Sequence, residues 1–139
     1  MPLTVTMRNL LTKFTTTEDS TGERFGSTGA WIHVGSASST TFNSADNSLS
    51  STGAVMKAMD SGYPKRNDGT DSTGVNILAY RSTFTTSEAN FIWDEWMVKN
   101  TSATSTGTGT ALNKVVTAGL GTKASTQAWQ MMAKITVST

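Results

Sequence analysis

The side chains best suited to chemistry are one histidine and a few carboxylates. His33 is the single histidine, and the chain contains no cysteine. A histidine-based zinc site needs further ligands, and a Ser-His-Asp triad needs oriented partners. No G-x-S-x-G motif, the usual setting of a nucleophilic serine, occurs in the sequence. We therefore predict that His33 is a hydrogen-bonded strand residue and that the chain has no catalytic residue.

The carboxylates Asp94 and Glu95 are neighbours in a predicted strand over residues 90–98. Adjacent strand residues point to opposite faces, so these two cannot converge on one substrate. A glycosidase needs two carboxyl groups that face each other across the bond, and Glu88 is the one other candidate nearby. We expect these carboxylates to accept hydrogen bonds from backbone or lysine groups at a subunit contact.

Two further motifs offer oxygen or amide groups. The stretch 67–72 (Asn-Asp-Gly-Thr-Asp-Ser) has a turn glycine, but its spacing does not match an EF-hand loop, and a solvated turn is the favoured interpretation. Residues 100–102 match an N-glycosylation acceptor, which has meaning only in a secreted protein. The glycine-rich stretches lack the lysine of a phosphate-binding loop. The sequence predicts no metal site and no cofactor.

Three tryptophans raise the question of carbohydrate binding. Trp93, Trp96 and Trp129 would suit a sugar platform if their rings were exposed. They alternate with aliphatic residues, a pattern that favours the hydrophobic core. Binding of a host glycan stays open as the alternative.

The charge pattern argues against a polyanionic or membrane partner. The formal net charge is +1. A nucleic-acid-binding surface would show a basic stripe, whereas these basic residues are scattered along the chain: Lys57, Lys65, Arg66, Lys99, Lys114, Lys123 and Lys134. No apolar run approaches the roughly 20 residues that span a bilayer, and residues 1–14 lack a signal-peptide pattern. We expect no nucleic acid and no membrane partner.

Composition points to an assembly-forming β protein. The length of 139 residues suits one domain. Serine and threonine make up about a third of the chain and charged residues 15%, against roughly 25% charged residues in ordinary globular domains. Threonine favours strands, and a weakly charged surface can be dehydrated against a partner at low cost.

The elements that would position these residues are short strands. Apolar alternation or short apolar runs predict strands over 30–34, 75–84, 90–98, 112–117 and 127–137. A helix is predicted over 44–59, since Ser44 can cap it and Asp46 lies in its first turn. Gly53 and the serines weaken its middle, so two short turns are an equal alternative. The expected fold is mainly β, an antiparallel β-sandwich or jelly roll with one or two short helices.

The N-terminal residues do not fit this strand pattern. We predict an N-terminal arm or short helix plus loop over 1–29 and the β-sandwich domain over 30–139. Isolated apolar surface normally marks an interaction site, so six residues are the proposed assembly contacts: Leu3, Val5, Met7, Leu10, Leu11 and Phe14. The alternative is a helix in which Leu10, Leu11 and Phe14 close the protein's own core. We expect a homo-oligomer.

Several short segments together resemble a known family. They are 32–35 (Ile-His-Val-Gly), 57–64, 83–84 with 89–91, 93–96 (Trp-Asp-Glu-Trp), 112–114, and 120–123 leading to Trp129. Their order and spacing are similar to those of short virion proteins of tailed bacteriophages, from residue 31 to the C-terminus. Ser36 and Met97 depart from the acidic residue and the glycine that usually stand there.

The resemblance implies a non-enzymatic structural protein of the virion, assembled in the host cytoplasm. Its expected partners are other copies of itself and other virion proteins of the capsid or the tail. A surface capsid decoration subunit is the first expectation. A tail or fibre-like component and a host-glycan-binding module are the alternatives.

Overall fold

The computed structural model describes residues 25–26, 28–38, 41, 43–66, 77–105 and 108–136. These residues form seven strands and no helix. In chain order the strands are β1 (Trp31–Gly35), β2 (Val55–Ala58), β3 (Lys65–Arg66), β4 (Ile77–Phe84), β5 (Glu95–Lys99), β6 (Ala111–Val115) and β7 (Trp129–Thr136). The predicted mainly-β class is confirmed.

The strands form two antiparallel sheets. The four-stranded sheet has the order β2-β1-β5-β6, and the three-stranded sheet has the order β3-β4-β7. In the first, Ile32 of β1 lies opposite Val98 of β5. In the second, Tyr80 of β4 lies opposite Ala133 of β7, and this pairing runs the full length of both strands.

One hydrophobic core is shared by the two sheets. The four-stranded sheet contributes Ile32, Val34, Trp96, Val98 and Leu112, and the three-stranded sheet contributes Tyr80, Phe84, Met131, Ala133 and Ile135. Alternate residues of a strand point to one face, so the apolar alternation predicted for the last strand is present in β7. The choice between sandwich and jelly roll stays a prediction.

Hydrogen bonds join the sheets next to β2. The Ser82 hydroxyl of β4 donates to the carbonyl of Ala58 at 2.9 Å. Two residues further on, the Asp60 backbone N–H donates to the Arg81 carbonyl at 2.8 Å. The Asp60 carboxylate accepts the Arg81 Nε–H at 2.9 Å and the Thr83 hydroxyl at 2.8 Å. These bonds hold the edge of one sheet against the middle of the other.

The predicted helix over 44–59 is wrong, and the alternative of short turns describes the first part of this range, with turns at 44–45 and 52–53. Residues 43–54 form a loop with turns, and Val55–Ala58 is strand β2, paired with β1. The Asn43 side chain accepts the Ala45 N–H at 2.9 Å and starts a turn. Serine and asparagine compete with helix formation through such local bonds, and pairing with β1 decides the conformation of residue 55 onwards.

The predicted strand over 90–98 is longer than the observed one. β5 begins at Glu95, and residues 91–94 instead bond to the segment 118–123. The Trp93 N–H donates to the Gly121 carbonyl at 2.8 Å, and the Lys123 N–H donates to the Phe91 carbonyl at 3.1 Å. All five residues of β5 are buried, which confirms the predicted burial on both faces.

The tryptophans confirm the core interpretation. Trp93 and Trp96 are 2% and 7% exposed, and Trp129 is half-buried against the same core. The Trp93 ring meets Phe84 at 4.9 Å and Trp129 at 5.1 Å between centroids, both edge to face. Edge-to-face contacts of this kind stabilise a core beyond the area they bury.

Several predictions lie outside the described residues. They include the six proposed assembly contacts at positions 3, 5, 7, 10, 11 and 14, most of the predicted N-terminal region 1–29, and the oxygen-rich stretch 67–72.

Candidate functional site

The four-stranded sheet buries charged side chains on the face turned away from the shared core, here called the polar face. His33, Glu95, Lys99 and Lys114 are 1%, 0%, 0% and 3% exposed. His33, Glu95 and Lys99 alternate with core residues along β1 and β5, so they point to the opposite face of the sheet. Lys114 of β6 lies opposite Met97 of β5, which belongs to that same face. The chain itself must cover this face.

The loop 43–54, here called the acid-anchored loop, covers one end of the polar face. The buried Glu95 carboxylate accepts the backbone N–H groups of Ser50 at 2.9 Å and Ser51 at 2.6 Å. The Lys114 ammonium donates to Asp46 at 2.9 Å and to the Ser50 hydroxyl at 3.3 Å. A carboxylate bonded to two backbone donors is a charge-assisted arrangement, stronger than a neutral hydrogen bond.

Two close contacts complete this end of the face. Leu49 of the acid-anchored loop packs with Met97 and Ala111 as a small second apolar cluster. Gly35 lies opposite Glu95, and a Cβ atom at Gly35 would approach Glu95 Oε1 to 2.7 Å. The Glu95 carboxylate therefore has room at this position because residue 35 has no side chain.

The segment 100–105, here called the base-anchored segment, covers the other end. His33 Nε2 lies 2.8 Å from the Thr101 carbonyl, so that nitrogen donates. The Lys99 ammonium donates to the carbonyls of Ala103 at 3.2 Å and Ser105 at 3.1 Å. Three carbonyls of one short segment thus point at two basic side chains of the sheet.

Burial changes the proton affinity of both basic groups. Desolvation lowers the pKa of His33 below its usual 6.5; the hydrogen bond to Thr101 opposes this, and the positive charge of Lys99 adds to it. Desolvation also lowers the pKa of Lys99. Burial without a carboxylate partner therefore makes the protonated form of each group less favourable than it is in water.

The carboxylates considered for catalysis are separated, and those of Glu88 and Glu95 are bonded within the chain. Asp94 precedes β5 and is half-buried, whereas Glu95 is fully buried on the polar face. Glu88 pairs with Lys57 at 2.6 Å, and this bond, with the bonds from Thr85, lowers the pKa of Glu88 to about 2. The predicted backbone bonds to Glu95 are present, and their donors belong to the same chain instead of to a second subunit.

Asn100, the first residue of the glycosylation match, has a role within its loop. Its side-chain oxygen accepts the Thr110 N–H at 2.6 Å, and its own N–H donates to the Thr110 carbonyl at 3.1 Å. The amide therefore closes the base of the loop that carries the base-anchored segment.

Sequence patterns did not reveal the buried lysines. Lys99, Lys114 and Lys123 are among the lysines scattered along the chain, yet none is more than 3% exposed. Lys123 donates to the Asn90 side-chain oxygen at 2.7 Å. The one available signal was the position of Lys99 directly after the strand predicted over 90–98 to be buried on both faces.

The site defines a class of arrangement: a mainly-β protein in which buried charges hold covering loops. Among the described residues, no group of three or more His, Cys, Asp or Glu side chains could hold a metal ion. No helix in the described part of the chain has the length and apolarity to cross a membrane. No family model, curated protein or solved structure matches the chain.

Proposed function

We propose that this protein is a non-enzymatic structural subunit of a tailed-phage virion, and that it decorates the capsid surface. The observation that carries the proposal is the use of the buried ionisable side chains. Glu95, His33 and Lys99 are all bonded to backbone atoms of covering loops. These bonds fix the shape of the loop surface. A subunit that packs against others needs a surface of fixed shape.

The virion assignment rests on the resemblance of residues 31–139 to short virion proteins of tailed phages. Proposed partners are other copies of the chain and other virion proteins. The alternatives are a tail or fibre-like component and a host-glycan-binding module. The burial of Trp93 and Trp96 weighs against the glycan alternative, because a sugar platform needs exposed rings.

The test is to locate the protein in particles. Virions of the phage that encodes the chain would be purified, and the copy number of the protein measured by quantitative mass spectrometry against the major capsid protein. We expect a copy number proportional to the capsid lattice and matching density on the capsid exterior in a cryo-EM map. A few copies at the tail would favour the tail alternative, and absence from the particle would refute the virion role.

The N-terminal contacts have a separate test. Deleting residues 1–16 should lower occupancy on the particle while residues 30–136 keep their fold, as judged by circular dichroism. Full occupancy of the truncated protein would contradict the arm hypothesis. A truncated protein that does not fold would favour the alternative in which Leu10, Leu11 and Phe14 close the core.

A further inference from the structure

His33 lies where a change in its charge would act on one loop. It is the single histidine of the chain, and its buried side chain bonds to Thr101 of the base-anchored segment. On β1 it is opposite Met97 of β5. Glu95 and Lys99 lie two residues to either side of Met97, so both are diagonal neighbours of His33 on the polar face, and diagonal neighbours lie within reach of long side chains.

The charged groups around His33 differ in their electrostatic effect on its imidazole. Glu95 is committed to the N–H groups of the acid-anchored loop, and Lys114, one strand further away, is paired with Asp46. Met56, opposite His33 on β2, is neutral. Residues 100–105 carry no ionisable side chain. Lys99 is therefore the charge that acts most directly on the imidazole, and it is positive.

We propose that His33 is an acid-operated release for the base-anchored segment: uptake of one proton by its imidazole detaches residues 100–105 from the sheet. In the attached state the new positive charge is buried beside Lys99, with carbonyls as its partners in place of a carboxylate. Detachment lets water reach both basic groups. This release involves residues 100–105 alone and does not depend on which partners the chain assembles with.

The direction of the pH effect follows from linkage. The attached state holds the pKa of His33 below 6.5, whereas a hydrated imidazole titrates near its ordinary value. Above that value both states are neutral at His33 and the attached state has its full stability. As the pH falls below 6.5, the detached state binds the proton more readily, and attachment weakens by up to about tenfold per pH unit.

The test is hydrogen–deuterium exchange at pH 7.5 and pH 5.5, with rates corrected for the intrinsic effect of pH. In the unaltered protein, we expect amides of residues 100–105 to exchange faster in acid, by up to about tenfold, while amides of the acid-anchored loop keep their rate. The variant His33→Gln keeps an N–H donor for Thr101 and cannot titrate, so its segment should exchange equally at both pH values.

A second measurement keeps the proposal testable if His33→Gln does not fold. An NMR titration of the His33 ring in the unaltered protein should give a pKa below 6.5, and Lys99→Met should raise it. A segment whose exchange does not change with pH would overturn the proposal. So would an acid effect that persists in His33→Gln, an equal increase in both loops, or a His33 pKa at or above the ordinary value.

Discussion

Two loops cover the same face of one sheet and are held by opposite charges. The acid-anchored loop turns backbone N–H groups inward, and the Glu95 carboxylate accepts them. The base-anchored segment turns carbonyls inward, and His33 and Lys99 donate to them. The comparison teaches that Glu95, His33 and Lys99 each match the backbone groups that their loop presents. Peptide dipoles satisfy these charges in place of an ion pair.

The loops also differ in apolar support. Leu49 of the acid-anchored loop is buried against Met97 and Ala111, whereas every residue of 100–105 is half-buried or exposed. Buried apolar area adds to the stability of the first loop beyond its hydrogen bonds. The second segment depends on polar contacts, and regions of that kind open at lower free energy than the rest of a fold. Three substitutions test this ranking.

The largest effect is expected for Glu95→Ala. It removes the acceptor of two backbone N–H groups and leaves the Ser50 and Ser51 donors without a partner, at a cost of about 3 kcal/mol in the free energy of unfolding. Urea unfolding would measure the loss. Glu88→Ala is the control of the same residue type; its partly exposed pair with Lys57 should contribute about 1 kcal/mol or less. Equal losses in the two variants would show that Glu95 is not an anchor.

A smaller effect is expected for Gly35→Ala. The added Cβ would lie 2.7 Å from Glu95 Oε1 and 2.8 Å from Ser51 Cβ, and such overpacking should cost about 2 kcal/mol. Hydrogen exchange should rise in the acid-anchored loop and stay unchanged in residues 100–105. Gly53→Ala is the control, since a Cβ at Gly53 meets no atom within 4 Å. A loss confined to residues 100–105 would contradict the assignment of Gly35 to the first loop.

The smallest effect is expected for Lys99→Met. The variant loses two hydrogen bonds to loop carbonyls but no longer buries a charge, so the two changes largely offset and the net cost is about 1 kcal/mol at neutral pH. Thermal or urea unfolding would measure it. A loss greater than that of Glu95→Ala would reverse the ranking of the two anchors.

The errors in the predicted elements have a common cause. The apolar spacing of residues 44–59 fits a helix, but the strand β2 forms there because β1 offers an open edge for pairing. The apolar alternation of residues 90–98 predicts one strand, but residues 91–94 form backbone hydrogen bonds with the segment 118–123 instead. In both places a partner distant in sequence overrides the local pattern, and a local window cannot contain that partner.

The sequence by itself determined the β class and the alternation of β7, because both follow from strand-forming residue types and a period of two along the chain. It also indicated that His33 is a bonded strand residue and that Asp94 and Glu95 do not converge. Only the tertiary structure decided that the second face of β5 buries charged side chains beneath two loops of the chain. The Ser50 N–H that bonds Glu95 comes from 45 positions earlier in the chain, and the Thr101 carbonyl that bonds His33 lies 68 positions after it. Burial of a charge depends on what covers it, and chain folding over such separations supplies the cover.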